Sequence, residues 1–382
     1  MRPMNLYFIF ALLFSLLGMS ESFAFSGWDK ANSPYRFGGN DYVKTFSFET
    51  NEKGESLDGG LNLSGELTQT PWTGDYWATW RGGITFRWKV GEDEKSSYLY
   101  KLGRGVKIND LSPAEKYDLY MGKLKFPLSK YERKRTGVMT KTNIPEWEGL
   151  CHAWAPATYH YKAPGKVTVR GRRGHKITFY SSDLKALLTY HVHMNQRKLK
   201  TYHLGRRCHY DYKKNPRAVE NKKSCIDTNA GAFHLALANQ IGLKNEAFII
   251  DKTRDIEVWN QAVFRYDSKA LSMRAPSRGA DPRAVKEVIV QTDVFYIDEE
   301  DHVDVNKDVG FYENELDAEG QKGAAYGYNV DEYKYALELD AHNNIVGGSW
   351  ISFERPDFIW KIEKPKFNGY FRRLKRLYRK SL

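Results

Sequence analysis

Of all the side chains in this 382-residue sequence, the thiol of Cys151 in EWEGLCHAWAPA (Glu146–Ala157) has the most to offer chemically. There are only three cysteines, and Cys208 and Cys225 bracket a basic loop containing Pro and Asn with little core of its own. A disulfide closing that loop would stabilise the fold by about 3 kcal/mol on the chain-entropy picture. Cys151 is then unpaired, so it is either packed into the interior or reactive. Reactivity requires the thiolate, which a helix N-terminus or an imidazolium favours. Gly149–Leu150 reads as a turn entering a helix, with Cys151 in the first helical turn and Pro156 limiting or kinking that helix. The structural alternative is a buried cysteine beside core tryptophans.

A nucleophilic thiol needs a base. His152 points about 100° away around a helix and is a poor partner. His191, His193, His203 and His209 lie in polar, basic text, whereas His234 sits in apolar GAFHLALAN, which would hold its ring still. As a lone histidine among apolar residues it equally fits a satisfied core position. Asp251, ending AFIID, is the expected carboxylate for the second imidazole N–H, with Asp227 and Asn260 as alternatives. Trp147, Trp154 and Trp259, with Asn260, are expected to wall the substrate and exclude water, although core packing explains any of these indoles as well.

These residues need elements to hold them. Ser112-Pro113-Ala114-Glu115 is a helix start with N-cap, N1 proline and N3 glutamate, closed by Gly122. SSDLKALLTYHVHMNQ and AGAFHLALANQIG read as helices, KVTVRGRRGHKITFY as a hairpin, and KYERKRTGVMTKTNIP as a basic linker. DYWATWRGGITFRWKV and SSYLYKLGRGVKIND read as strands, as do NEAFIIDK, EVWNQAVFRYD, KEVIVQTDVFYIDEED and RPDFIW. YKYALELDAHNNIVGG reads as a hairpin turning at Asn343-Asn344. NGYFRRLKRLYRKSL is a basic amphipathic tail, expected to be solvated or docked on an anionic surface.

Residues 1–24 read as a cleavable signal peptide ending at Ser22-Phe23-Ala24, so the mature chain is expected to be secreted or periplasmic, with no later transmembrane segment. The net charge of +12 favours anionic partners such as a cell-surface polymer. Nucleic-acid binding has nothing but this charge behind it and is not expected. DEEDHVDVNKDVG (Asp298–Gly310) lacks the glycine and terminal glutamate of an EF-hand, so no metal or other cofactor is expected, calcium on this acidic hairpin being a weak alternative.

Taken together, WEGLCHAWAPA, LSPAEKYDLYMG, the C-x16-C loop leading into AGAFHLALAN, and EVWNQAV resemble the transglutaminase elicitor family, secreted oomycete enzymes with relatives in marine bacteria. EVWNQAVFRY is similar to the family's elicitor peptide, with Ala262 where proline is expected. The resemblance runs from about Tyr76 to Trp360. It implies an α+β fold with a papain-like cysteine-transferase core and additional antiparallel β-sheet layers. It also implies a protein-glutamine γ-glutamyltransferase acting on protein or peptide glutamines and primary amines, with Cys151 as nucleophile, His234 as base and Asp251 as orienter. The helical pattern around His234 sits awkwardly with a papain-type core, whose histidine lies on a strand. A cysteine peptidase or amidase, and a non-catalytic secreted elicitor or binding protein, are the alternatives. The expected organisation is a β-rich region at 25–145, a catalytic core at 146–270, a β-rich region at 271–363 and a basic tail at 364–382.

Overall fold

Alternating β-branched and aromatic residues build one large antiparallel sheet, and helices are laid against it. The computed structural model describes residues 28–38, 41–88, 100–141, 143–210, 214, 225, 227–252, 254, 256–299 and 327–382. Its strands are β1 (Ser64–Glu66), β2 (Val167–Arg170), β3 (Lys176–Phe179), β4 (Thr201–Gly205), β5 (Phe248–Asp251), β6 (Asn260–Arg274), β7 (Lys286–Ile297), β8 (Tyr328–Leu339), β9 (Ile345–Trp350) and β10 (Phe358–Ile362). The sheet order is β4-β10-β5-β6-β7-β8-β9, with β1 added along β6, and β2–β3 form a separate hairpin. The last strand, β10, lies between β4 and β5. The boundary expected at 270/271 therefore falls inside β6, and residues on both sides of it share one sheet. Asn343, at φ 63°, turns the β8–β9 connection as its sequence indicates.

Besides a single α-helical turn at Tyr35–Gly38, the helices are α1 (Pro113–Tyr120), α2 (Pro127–Thr136), α3 (Cys151–His160), α4 (Ser181–Asn195), α5 (Ala230–Ala236), which runs on as a π-helical turn over Leu237–Leu243, and α6 (Leu374–Arg379). The capping box of α1 forms as expected: Ser112 Oγ accepts from Glu115 N, and the Glu115 carboxylate accepts from Ser112 N. That carboxylate also takes a two-pronged bond from Arg87, at 2.7 and 2.9 Å, and the N–H of Gly103. One glutamate thus fastens Arg87 and Gly103 to α1 with no exposure of its own. Lys116 pairs with Asp183 at 2.6 Å, both fully buried, and ties α1 to the start of α4.

Several expectations change here. DYWATWRGGITFRWKV is not a strand: its described part forms 3-10 turns at Thr79–Arg81 and Gly83–Thr85, because Gly82 and Gly83 both take positive φ. Of SSYLYKLGRGVKIND only Tyr100 onward is described, and it consists of turns with a 3-10 segment at Ile108–Asp110. The described part of 25–145 is therefore turns and helices, with β1 as its one named strand. The expected basic linker begins as α2, whose first-turn N–H groups at Leu128 and Ser129 are capped by Asp118 of α1. The basic tail packs its apolar face inward and leaves Arg372, Lys375, Arg376, Arg379 and Lys380 exposed. Phe371, Leu374, Leu377 and Tyr378 are buried, with Phe371 stacked on Tyr117. The amphipathic pattern serves the chain's own core. The expected signal peptide lies outside the described residues, as does nearly all of the acidic 298–310 stretch. Among the described residues no helix is long and apolar enough to cross a membrane.

Replacing Glu115 by alanine strands the Arg87 guanidinium in the core and should cost about 3–5 kcal/mol. Urea denaturation reads this directly, and a loss below about 1 kcal/mol would contradict the anchoring role. Burial raises the Glu115 pKa, but the Arg87 hydrogen bonds and charge and the Gly103 and Ser112 amides outweigh it, so the net shift is downward. Its stabilisation is accordingly present above the ordinary glutamate range and lost as pH falls through the folded pKa.

Candidate active site

The two residues before Cys151 fix its position. Leu150 N donates to Tyr76 O at 2.5 Å, and Thr79 N donates to Glu148 O at 2.7 Å, so the chain entering α3 is clamped to the 76–79 turn. Gly149 makes the clamp possible: a Cβ there would lie 2.4 Å from the Tyr76 ring and 2.6 Å from its carbonyl oxygen. Cys151 is the first residue of α3, as the sequence indicates, and the helix runs through Pro156 to His160. The Cys208–Cys225 disulfide is formed, and Cys151 is the free cysteine.

The sulfur rests against the sheet where β6 begins. It donates to Val258 O at 3.5 Å and accepts from Asn260 Nδ2 at the same distance. Trp360 Nε1 on β10 donates to Asn260 Oδ1 at 2.7 Å, which fixes the amide so that its N–H₂ faces the sulfur. Asp251 of β5 is the register partner of Asn260 and accepts the Trp259 N–H at 2.9 Å. A cleft of about 670 Å³ opens over this group, lined by Trp147, Cys151, His152, His203, Asn260 and Trp360 among others. Its wall carries Arg135, Arg197 and Arg207 against Glu148.

Electrostatically the sulfur is a thiol. Burial, followed by the charges of Glu299 and Asp251, pushes its pKa up to about 11, and the bond from Asn260 only partly offsets them. The activation expected from a helix N-terminus is outweighed by removal from water. Among the described residues two imidazoles face the cleft. His152 Nε2 is 3.0 Å from His193 Nδ1, and burial with the Arg135 charge lowers its pKa to about 4. His203, on edge strand β4, is exposed and stacks on Trp360 at 5.8 Å with an interplanar angle of 12°.

The profile of the transglutaminase elicitor family matches residues 129–370, which include all of these cleft residues. The chain belongs to the transglutaminase elicitor family. In fold it is similar to the crystal structure of the GP42 transglutaminase from Phytophthora sojae, with a TM-score of 0.62 and 24% sequence identity over 91% of this chain and 95% of that one. No curated protein sequence matches the chain.

In this member of the transglutaminase elicitor family, Cys151, Asn260 and Trp147 line the cleft, and Asp251 lies fully buried beside Asn260 on the neighbouring strand. His234 does not join them. It lies on α5 with no exposed surface, its Nδ1 2.9 Å from the Tyr335 hydroxyl of β8, and burial lowers its pKa to about 4. Trp154 is fully buried in the core beneath α3 rather than on the cleft wall. Trp259 is half-buried, donates Nε1 to Glu257 at 3.0 Å and tilts against Tyr76. His191 is also packed, stacked on Phe367 at 4.5 Å. Asp227, the other carboxylate considered, is held by Arg254 and Arg355. His203 and Trp360 were not singled out by sequence reading. Their signal was the strand alternation of TYHLG, which a polar, basic context obscures, and a pairing between β4 and β10 across more than 150 residues.

Because only the thiolate reacts, alkylation of Cys151 by iodoacetamide should be slow at neutral pH and rise about tenfold per pH unit towards pH 10. Mass spectrometry of labelled peptides measures it. A fast rate already on a plateau at pH 6 would show a preformed thiolate instead.

Proposed function

We propose that this chain is a protein-glutamine acyltransferase with a papain-like arrangement, in which Cys151 forms a thioester with a glutamine side chain and passes the acyl group to a primary amine. The observation behind it is the position of the free cysteine: first residue of a helix, at the floor of a cleft wide enough for a peptide, with imidazole on the wall. Family membership supports the same reaction class.

In this reading His203 is the cleft base. It replaces His234, because its ring is exposed to the cleft and lies on a strand, whereas His152 is engaged with His193. The imidazole takes the Cys151 proton as sulfur bonds to the carboxamide carbon. The tetrahedral oxyanion is held by N–H groups at the start of α3 and by Asn260 Nδ2, whose aim Trp360 sets. Such a donor contributes about 3–4 kcal/mol of transition-state stabilisation. Collapse breaks the C–N bond, and the imidazolium returns its proton to the departing ammonia. An amine then attacks the thioester carbon and gives a proton to the imidazole, the C–S bond breaks as the isopeptide bond forms, and the imidazolium returns that proton to the departing sulfur.

A thiol with a pKa near 11 is inert at rest, so proton transfer to imidazole occurs as substrate displaces water from the cleft. Trp147 and Trp360 give this space aromatic walls, which favour amine over water as the acceptor. The implied substrates are protein or peptide glutamines and lysine-like amines, and export through the expected leader fits such substrates.

Incubating the protein with a glutamine peptide and a fluorescent primary amine should give amine incorporation with ammonia release, abolished by Cys151→Ala. His203→Ala should lower kcat by about 10²–10⁴-fold. His234→Gln should act mainly on stability. Incorporation that survives in Cys151→Ala would overturn the proposal, and a kcat loss confined to His234→Gln would move the base back to α5.

A further inference from the structure

The charges around the cleft are segregated. Carboxyl groups act on the sulfur, Asp251 and Glu299, although burial and the charges of Asp75 and Asp298 raise the Glu299 pKa to about 8, so that it is largely neutral at pH 7. On the imidazole wall the acting charges are positive: Arg135 acts on His152, Arg135 and Arg197 act on His193, and Arg36 acts on His203. The same division appears in the lining side chains. Arg135, Arg197 and Arg207 face the cleft, and Glu148 is the carboxylate among its lining residues. Arg135 is largely neutralised by Glu132, with bonds of 2.6 and 2.9 Å. Arg197 and Arg207 are exposed, on the turn after α4 and just beyond β4. Arg207 is further fixed by donating Nη2 to Ile256 O at 2.9 Å, so its remaining N–H groups are presented with less loss of freedom.

A peptide that brings a glutamine to Cys151 must therefore lay its flanking residues along an arginine-bearing wall. Guanidinium forks match carboxylates in geometry as well as charge. We infer that the acyl donor is an acidic peptide segment, a glutamine flanked by Asp or Glu side chains, with Arg197 and Arg207 as the residues that select it. This rests on the acyltransfer reading, since it names the substrate class of that same cleft. The chain's net charge of +12 acts in the same direction at longer range, raising the encounter rate with acidic partners.

The test uses the full-length protein and two glutamine peptides of equal length, one flanked by glutamates and one by lysines, each with a fluorescent primary amine at low and high salt. The glutamate peptide should show kcat/KM higher by about fivefold or more at low salt, the gap narrowing with added salt as expected for exposed charges. The double variant Arg197→Glu, Arg207→Glu should invert the preference, with circular dichroism checking the fold. In parallel, fluorescein-labelled versions of both peptides are titrated into Cys151→Ala and followed by anisotropy, which needs no turnover. Tighter, salt-sensitive binding of the glutamate peptide that is lost in a triple variant carrying the same two reversals supports the inference even if no amine is incorporated, an outcome that would count against acyl transfer alone. Equal kcat/KM and equal binding for the two peptides, or a preference for the lysine peptide, would overturn it.

Discussion

The hydrogen bond from Leu150 N to Tyr76 O, with Gly149 pressed against the Tyr76 ring, sets where α3 begins and therefore where the sulfur of Cys151 lies. It joins two segments more than seventy residues apart. Nothing larger than glycine fits at the contact without displacing Tyr76. The sheet meets this fixed helix end with the first residues of β6, and β10 places Trp360 behind Asn260 to aim its amide at the sulfur. Cys151, Asn260, Trp360 and His203 are thus each placed by a helix start, a central strand or the β4 edge.

That rigidity comes with burial, and burial opposes ionisation. Cys151 is 6% exposed, and burial is the main cause holding its sulfur as the thiol at rest. A neutral, largely buried thiol is slow to oxidise or to react with adventitious alkylating agents. In the proposed reaction it becomes a nucleophile only while an acceptor imidazole and a bound substrate are both present. The arginines along the imidazole wall favour anionic flanks at the rim, and the buried surroundings of the sulfur favour an uncharged carboxamide beside it.

Much of the scaffold was legible from sequence because local rules coincide with the tertiary outcome. The Ser112–Glu115 capping box, the α4 pattern, the Asn343 turn and the alternation of β6 to β8 all formed where their residue types indicate. Cys151 at a helix start was equally readable from the glycine before it. The base was not. His203 lies on a five-residue edge strand whose partner is β10, near the far end of the chain, and no local signal carries that pairing. His234 attracted attention for its apolar neighbours, and those neighbours are what bury it against Tyr335. The 77–88 segment alternates like a strand, yet two successive glycines at positive φ turn it, and Arg87 is drawn inward by Glu115. The tail's amphipathic face looked suited to an external surface, and only the fold supplies Tyr117 as its partner.

The central claim is that sulfur and acyl carbon become bonded. Rapid acid quench after mixing the protein with a glutamine peptide in the absence of amine, followed by intact-protein mass spectrometry, reads this directly. The account predicts an adduct on Cys151 equal to the peptide mass less one ammonia, discharged by added primary amine and missing from Cys151→Ala. An adduct mapped to another residue, or ammonia release at the same rate from Cys151→Ala, would contradict it.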